Sequence, residues 1–104
     1  MLKIKNDNGV EVCVRFYHGE VQGAYLDTKG VPVGRRYCSV VADIDGHIVG
    51  QAEAVCHPLD PYVKKTGRKI AFEKLLSYMD LSREVRREAW ERFWAYGRPQ
   101  AVAA

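Results

Sequence analysis

Cysteine and histidine are the residues in this 104-residue sequence that could hold a metal ion. Three of each are present, and Cys38, His47, Cys56 and His57 lie in or beside one predicted hairpin. Tetrahedral zinc needs ligands within about 2.0–2.3 Å of the ion, usually from paired spacings such as Cys-x2-Cys. The sequence has no such spacing, and neighbouring residues of an extended chain point to opposite sides. We therefore expect three free thiols and no metal.

Cys56 and His57 are adjacent in the sequence, and the thiol and imidazole could in principle act as a nucleophile and its base. A catalytic thiolate needs an imidazole within hydrogen-bond reach and an oxyanion hole, with a third group to orient the base. The sequence offers no third group, and it contains no glycine-rich phosphate loop, HExxH or GxSxG motif. We expect a protein that is not an enzyme and uses no cofactor. A cysteine-dependent hydrolase is the distant alternative.

A basic segment at residues 62–71 is the more informative feature. Four cations crowd the start of a predicted helix there: Lys64, Lys65, Arg68 and Lys69. The N-terminal end of a helix already carries about half a positive charge, so cations at this end cost stability. A nucleic-acid phosphate or a carboxylate-rich protein surface would relieve the repulsion. The alternative is a solvated basic face on which Asp60 offsets the dipole and Lys69 pairs with Glu73.

The last predicted helix carries more aromatic residues than a core stripe of about 100° can hold. Such a helix either closes a small core or meets a partner or a second copy, so a homodimer through it is one expected assembly. Trp, Tyr and Arg are common anchors of interfaces, and Trp94 is the aromatic residue that we expect to be exposed. The predicted binding residues are Tyr62, Lys64, Lys65, Arg68, Lys69, Arg87 and Trp94.

Hydrophobic periodicity predicts the elements that position these residues. We expect an α+β fold, with an antiparallel sheet of four to five strands in two hairpins and two C-terminal helices, the first packed on the sheet. Residues 18–20 are predicted to break the sheet, and residues 30–34 to form a loop or edge segment. The predicted strands lie at 2–4, 10–17, 21–26, 35–44 and 48–56, and the main helices at 68–79 and 82–96.

The hairpin of residues 35–44 and 48–56 has the clearest pattern. Pairing Ile44 with Ile48 places an apolar and mostly small set on one face, as if a helix lies closely across it. A slip of one residue would bring Gln51 and Glu53 onto that face, so this register is preferred. The predicted face consists of Cys38, Val40, Ala42, Ile44, Ile48, Gly50, Ala52, Ala54 and Cys56.

The helix ends carry recognisable signals. Asp60 is the expected N-cap of a short first turn that Gly67 interrupts, and Asp80 or Ser82 is the expected cap of the last helix. The expected buried stripe of the first helix is Ile70, Ala71, Leu75 and Met79, flanked by Phe72 and Leu76. The expected stripe of the second is Val85, Ala89, Phe93 and Tyr96, widened by Trp90 and Trp94.

Length and composition describe one small globular domain. With 47% hydrophobic and 28% charged residues, a chain of this size can bury roughly 65% of its unfolded surface. We expect one domain over residues 1–99 and a disordered tail over 100–104. No apolar run approaches the roughly 20 residues that span a bilayer, and the N-terminus lacks a signal-peptide pattern. We therefore expect a cytoplasmic protein that does not contact membranes.

The net charge of +3 is unevenly distributed. Residues 1–60 hold six Lys or Arg against eight Asp or Glu, whereas residues 61–104 hold ten against five. An anionic partner is therefore expected at the C-terminal third.

The segment from Cys56 to Ala71 reads Cys-His-Pro-Leu-Asp-Pro-Tyr-Val-Lys-Lys-Thr-Gly-Arg-Lys-Ile-Ala. It resembles a pattern in short phage and prophage proteins, in which a strand ends in Cys-x-Pro-x-Asp-x-aromatic and leads into a basic Gly-Arg-Lys-Ile-Ala helix start. The resemblance covers roughly residues 37–76. It implies an accessory protein of a mobile element, of a kind that often binds and blocks host machinery, including CRISPR effectors.

The expected function follows from this resemblance and from the basic helix start. We expect a non-enzymatic, anti-CRISPR-like inhibitor in the host cytoplasm that occludes a protein or nucleic-acid surface. Its expected partner is a host defence protein or ribonucleoprotein complex. The alternative is a module that binds DNA or RNA directly through the basic helix start.

Overall fold

The computed structural model describes residues 2–56 and 63–96. Its elements are β1 (Leu2–Lys5), β2 (Glu11–Leu26), β3 (Pro32–Ile44), β4 (His47–Val55), α1 (Lys64–Met79) and α2 (Arg83–Tyr96). The strands form one antiparallel sheet in the order β1-β2-β3-β4, and α1 packs on β3 and β4. The predicted α+β fold is confirmed. Neither α1 nor α2 is long and apolar enough to cross a membrane, and the predicted tail at 100–104 lies outside the described residues.

β2 is one continuous strand, so the predicted break at residues 18–20 is wrong. These residues lie opposite residues 36–38 of β3, and this long-range pairing carries the strand through its glycine. β3 begins at Pro32, inside the stretch predicted as a loop or edge segment, and the edge segment is the alternative that the structure shows. Proline fits there because β4 ends at Val55, which leaves this end of β3 at the edge of the sheet.

The register of β3 and β4 follows the prediction over most of the hairpin. Val40 lies opposite Ala52, as the alternation of small apolar residues predicts. An irregularity near the turn shifts the pairing, so that Ile44 lies opposite His47. The predicted pairing of Ile44 with Ile48 is therefore wrong, and the Ile48 side chain is 63% exposed.

α1 begins at Lys64, four residues before the predicted start at Arg68. Gly67 lies inside the helix and donates its amide hydrogen to the Val63 carbonyl over 3.0 Å, so it does not interrupt the first turn. The predicted N-cap, Asp60, lies outside the described residues. The buried side chains of α1 are Ala71, Phe72, Leu75 and Leu76.

Ile70, which the sequence predicts to be buried, lies outside the core. Successive residues of an α-helix are about 100° apart, which turns Ile70 away from the buried stripe and leaves it 41% exposed. Phe72 instead takes the central place in the core. Its ring stacks on Phe93 at 4.8 Å and meets the edge of Trp90 at 5.0 Å.

α2 lies beside α1 and contacts β1, so both helices cover the same face of the sheet. Ser82 is the residue that caps it, since its hydroxyl accepts a 3.4 Å bond from the Val85 amide. The Asp7 carboxylate, in the turn after β1, accepts a hydrogen bond from the Ser82 amide at 3.1 Å. This bond ties the start of α2 to the first hairpin.

Candidate anion-binding site

The start of α1 concentrates positive charge. Its first turn contains no Asp or Glu, and the N-cap residue Val63 makes no side-chain capping bond. Ion pairs join Lys3 to Glu11, Arg87 to Glu91 and Arg92 to Glu88. Within the described residues no ion pair joins Lys69 to Glu73, and none involves the four cations at the start of α1, which are Lys64, Lys65, Arg68 and Lys69.

Lys64 and Arg68 occupy the stripe of α1 that faces the sheet. They are one helical turn apart, and the same stripe continues into the buried residues Ala71 and Leu75. Both cations act on His18, near the middle of β2. His18 is exposed, but the partial burial of its ring lowers its pKa, and the positive charges of Arg68 and Lys64 lower it further. The neutral imidazole is therefore favoured beside these two cations.

Cys38 is fully buried on β3, close enough to Arg68 to be influenced by its charge. Burial raises the pKa of the Cys38 thiol, and Arg68 opposes this shift. A thiol with a raised pKa is a poor nucleophile. Cys13 and Cys56 are partly exposed and form no disulfide. Residues 2–56 and 63–96 contain no group of three His, Cys, Asp or Glu side chains that could hold a metal.

Lys69 connects the basic start of α1 to α2. Its ammonium lies 5.9 Å from the centroid of the Trp94 ring, within the range of a cation–π interaction. Trp94 in turn stacks on Trp90, with the ring centroids 6.0 Å apart. The Trp94 side chain remains 39% exposed. Two predicted binding residues that are 25 positions apart in sequence thus form one surface with a cation and an indole.

Arg87, another predicted binding residue, lies on α2. Arg87 lies seven residues before Trp94, which puts both on the same side of α2. The Arg87 guanidinium already has an acidic neighbour, because it lies 3.8 Å from the Glu91 carboxylate. Tyr62 lies outside the described residues.

His18 is the site residue that the sequence prediction missed. The signal was present, because His18 continues the alternation of Val14 and Phe16 and lies opposite the buried Cys38. Interpreting residues 18–20 as a break in the sheet hid this alternation. His18 lies within electrostatic range of both sheet-facing cations, and Arg68 lowers its pKa more than Lys64 does.

Comparison with protein-family models, with curated proteins and with solved structures finds no match for this chain. The binding properties of the site therefore follow from the chemistry of its own residues. Guanidinium and ammonium groups bind phosphate or carboxylate through charge-assisted hydrogen bonds. The arrangement at the start of α1 is suited to binding an anionic group.

Proposed function

We propose that this chain is a non-enzymatic, phage-type binding protein that inhibits a host defence system in the manner of an anti-CRISPR protein. In this proposal the start of α1 meets an anionic surface of a host defence complex. The bound protein then occludes that surface. An inhibitor of this kind must bind tightly and cover the surface sterically, but it needs no covalent step. The three thiols therefore have no role in the proposed inhibition.

The observation that carries the proposal is the concentration of positive charge at the start of α1, where no carboxylate of the described residues forms an ion pair with the four cations. A cation at a solvent-exposed helix N-terminus costs about 0.3–1 kcal/mol at low ionic strength, and α1 has four cations in its first six residues. Such a cost within the folded protein is offset when an anionic partner binds there. The resemblance of residues 37–76 to phage proteins supports the choice of a host defence complex as the target.

Direct binding of nucleic acid is the second candidate, and the Lys69–Trp94 contact favours it. The Lys69 ammonium can bind a phosphate while the exposed Trp94 ring stacks on a base of the same strand. The two candidates differ in salt dependence. If about four phosphates are neutralised, the logarithm of the affinity for duplex DNA should fall with the logarithm of salt concentration at a slope of roughly −3 to −4.

The decisive test reverses two of the cations. Lys65→Glu combined with Arg68→Glu should weaken binding at least tenfold, which corresponds to about 1.4 kcal/mol. The assay is plating of a CRISPR-targeted phage on bacteria that express the chain. The parent protein should restore plaque formation, and the double variant should lose this activity while its folding stability stays equal or rises slightly, because negative charge suits a helix N-terminus.

A matched control reverses two exposed cations in the first turn of α2, Arg83→Glu with Arg86→Glu. It changes the net charge by the same amount and also places two carboxylates near a helix N-terminus, so inhibition should survive. Equal activity of both double variants would refute the site on α1. Inhibition without affinity of the purified chain for DNA or RNA would select the protein partner over the second candidate.

A further inference from the structure

The outer strands of the sheet, β1 and β4, each have one side with which no strand of residues 2–56 and 63–96 pairs. Such an edge presents backbone N–H and C=O groups to solvent, and a strand of another molecule can pair with them. In an antiparallel ladder, hydrogen-bonded and non-hydrogen-bonded pairs alternate. The ladder therefore identifies which backbone groups point outward from each edge.

On β1, the Lys3 carbonyl points away from the sheet. The Asn6 amide donates to the Val10 carbonyl over 3.0 Å, so Asn6 faces β2, and Ile4, two residues earlier, faces it as well. Lys3 lies one position further and has the opposite direction. Its outward carbonyl accepts a hydrogen bond of 3.2 Å from Nη1 of Arg92, which lies on α2.

On β4, the Glu53 carbonyl points away from the sheet for the same reason. The Cys56 amide donates to the Arg36 carbonyl over 2.8 Å, so Cys56 and Ala54 face β3. Glu53 lies between the residues that face β3 and has the opposite direction. Its outward carbonyl accepts a hydrogen bond of 3.0 Å from Nζ of Lys74, which lies on α1.

Each edge thus has an outward carbonyl covered by a cation that a helix supplies. Both bonds are exposed to solvent, where water competes with them, so they add little to folding stability. Their effect on an approaching strand is larger, because that strand must displace the cation from a carbonyl with which it would pair. Glu88 holds the Arg92 guanidinium in place through a second bond of 3.2 Å. Charged side chains, lysine in particular, are a common means of blocking strand edges.

We propose that Lys74 and Arg92 prevent a second copy of this chain from extending the sheet, by covering the outward carbonyls of Glu53 and Lys3. The two cations act at opposite edges, so both routes to a continuous sheet of several copies are blocked. This protection does not involve the anion-binding site at the start of α1, and it goes beyond the function proposed above.

The test compares the parent with Lys74→Ala, Arg92→Ala by sedimentation velocity over about 10 µM to 1 mM, the range in which unpaired strand edges associate. The double variant should self-associate at a concentration at least about tenfold lower than the parent does. Its free energy of unfolding in urea should stay close to that of the parent. Lys74→Arg with Arg92→Lys keeps a donor at each edge and should behave as the parent.

Arg87→Ala with Lys29→Ala is the matched control, because it removes two positive charges from exposed positions elsewhere. The Arg87 side chain is 83% exposed and pairs with Glu91, and Lys29 lies in the turn after β2. This control should associate no more than the parent.

Amide hydrogen exchange identifies the surface through which the double variant associates. The outward amides of Lys3 and Glu53 should exchange more slowly in the associated form, because a strand of the second copy accepts their hydrogens. Equal association of the double variant and the parent would overturn the proposal. Association that leaves both amides unprotected would overturn it as well.

Discussion

Replacing Ala52 with leucine tests how closely α1 lies on the sheet. Ala52 is almost fully buried on β4, on the face that α1 covers. Two residues earlier, a Cβ added to Gly50 would lie 3.0 Å from the Leu75 Cδ1 atom and 3.5 Å from the Met79 Cγ atom. The layer between β4 and α1 therefore has no room for three more carbon atoms, and leucine must displace the helix or adopt a strained rotamer.

The expected cost of Ala52→Leu is about 1–3 kcal/mol in the free energy of unfolding. A loosely packed site would give the opposite sign, since burying three more carbon atoms would stabilise the protein by about 2 kcal/mol. The measurement is urea unfolding followed by fluorescence of Trp90 and Trp94, with the slope against urea unchanged.

Gln51→Leu is the matched control for Ala52→Leu. It adds a leucine to the neighbouring, exposed position on the other face of the same strand, where the change should stay within about 0.5 kcal/mol. Equal or greater stability of Ala52→Leu relative to the parent would refute close packing of α1 on β4.

Two further predictions concern His18 and the thiols. Partial burial, Arg68 and Lys64 lower the pKa of His18 in the folded protein below its ordinary value of 6.5. As the pH falls, His18 is therefore protonated in the unfolded chain before it is protonated in the folded protein. The free energy of unfolding should accordingly decrease as the pH drops below 6.5 towards the folded-state pKa. His18→Gln should lose less stability than the parent between pH 7.5 and 5.5 in urea unfolding, and identical pH profiles would contradict the placement of His18. Cys38 is fully buried with a raised pKa, whereas Cys13 and Cys56 are partly exposed. A disulfide reagent should therefore modify two thiols in the native protein and the third only on unfolding, and faster modification of Cys38 than of Cys13 in single-cysteine variants would contradict its burial.

Local sequence patterns were sufficient to predict much of the fold. The alternation of small apolar residues on either side of residues 45–47 predicted that Val40 faces Ala52, because a shift of one residue would have buried Glu53. Ser82 was one of two predicted caps for α2, because a short hydroxyl side chain before a periodic stripe is a local signal. The crowding of cations at residues 64–69 was likewise visible in the sequence alone.

Tertiary structure decided what local signals could not. β2 continues through Gly19 because a distant strand supplies its hydrogen bonds, and propensity alone had predicted a break. Burial of a single stripe on α1 turned Ile70 outward, although its type suits a core. The contact of Lys69 with Trp94 depends on how α1 and α2 pack together. Nothing in the local sequence around either residue indicated this contact.

The sequence by itself thus determined the pairing of β3 with β4 and the types of residue at the start of α1, because strand periodicity and helix capping act over a few neighbouring residues. The placement of His18 within electrostatic range of Arg68 required the three-dimensional arrangement. A side chain's neighbours across a sheet or between helices are set by long-range packing, and electrostatic effects such as the lowered pKa of His18 arise only after that packing has formed.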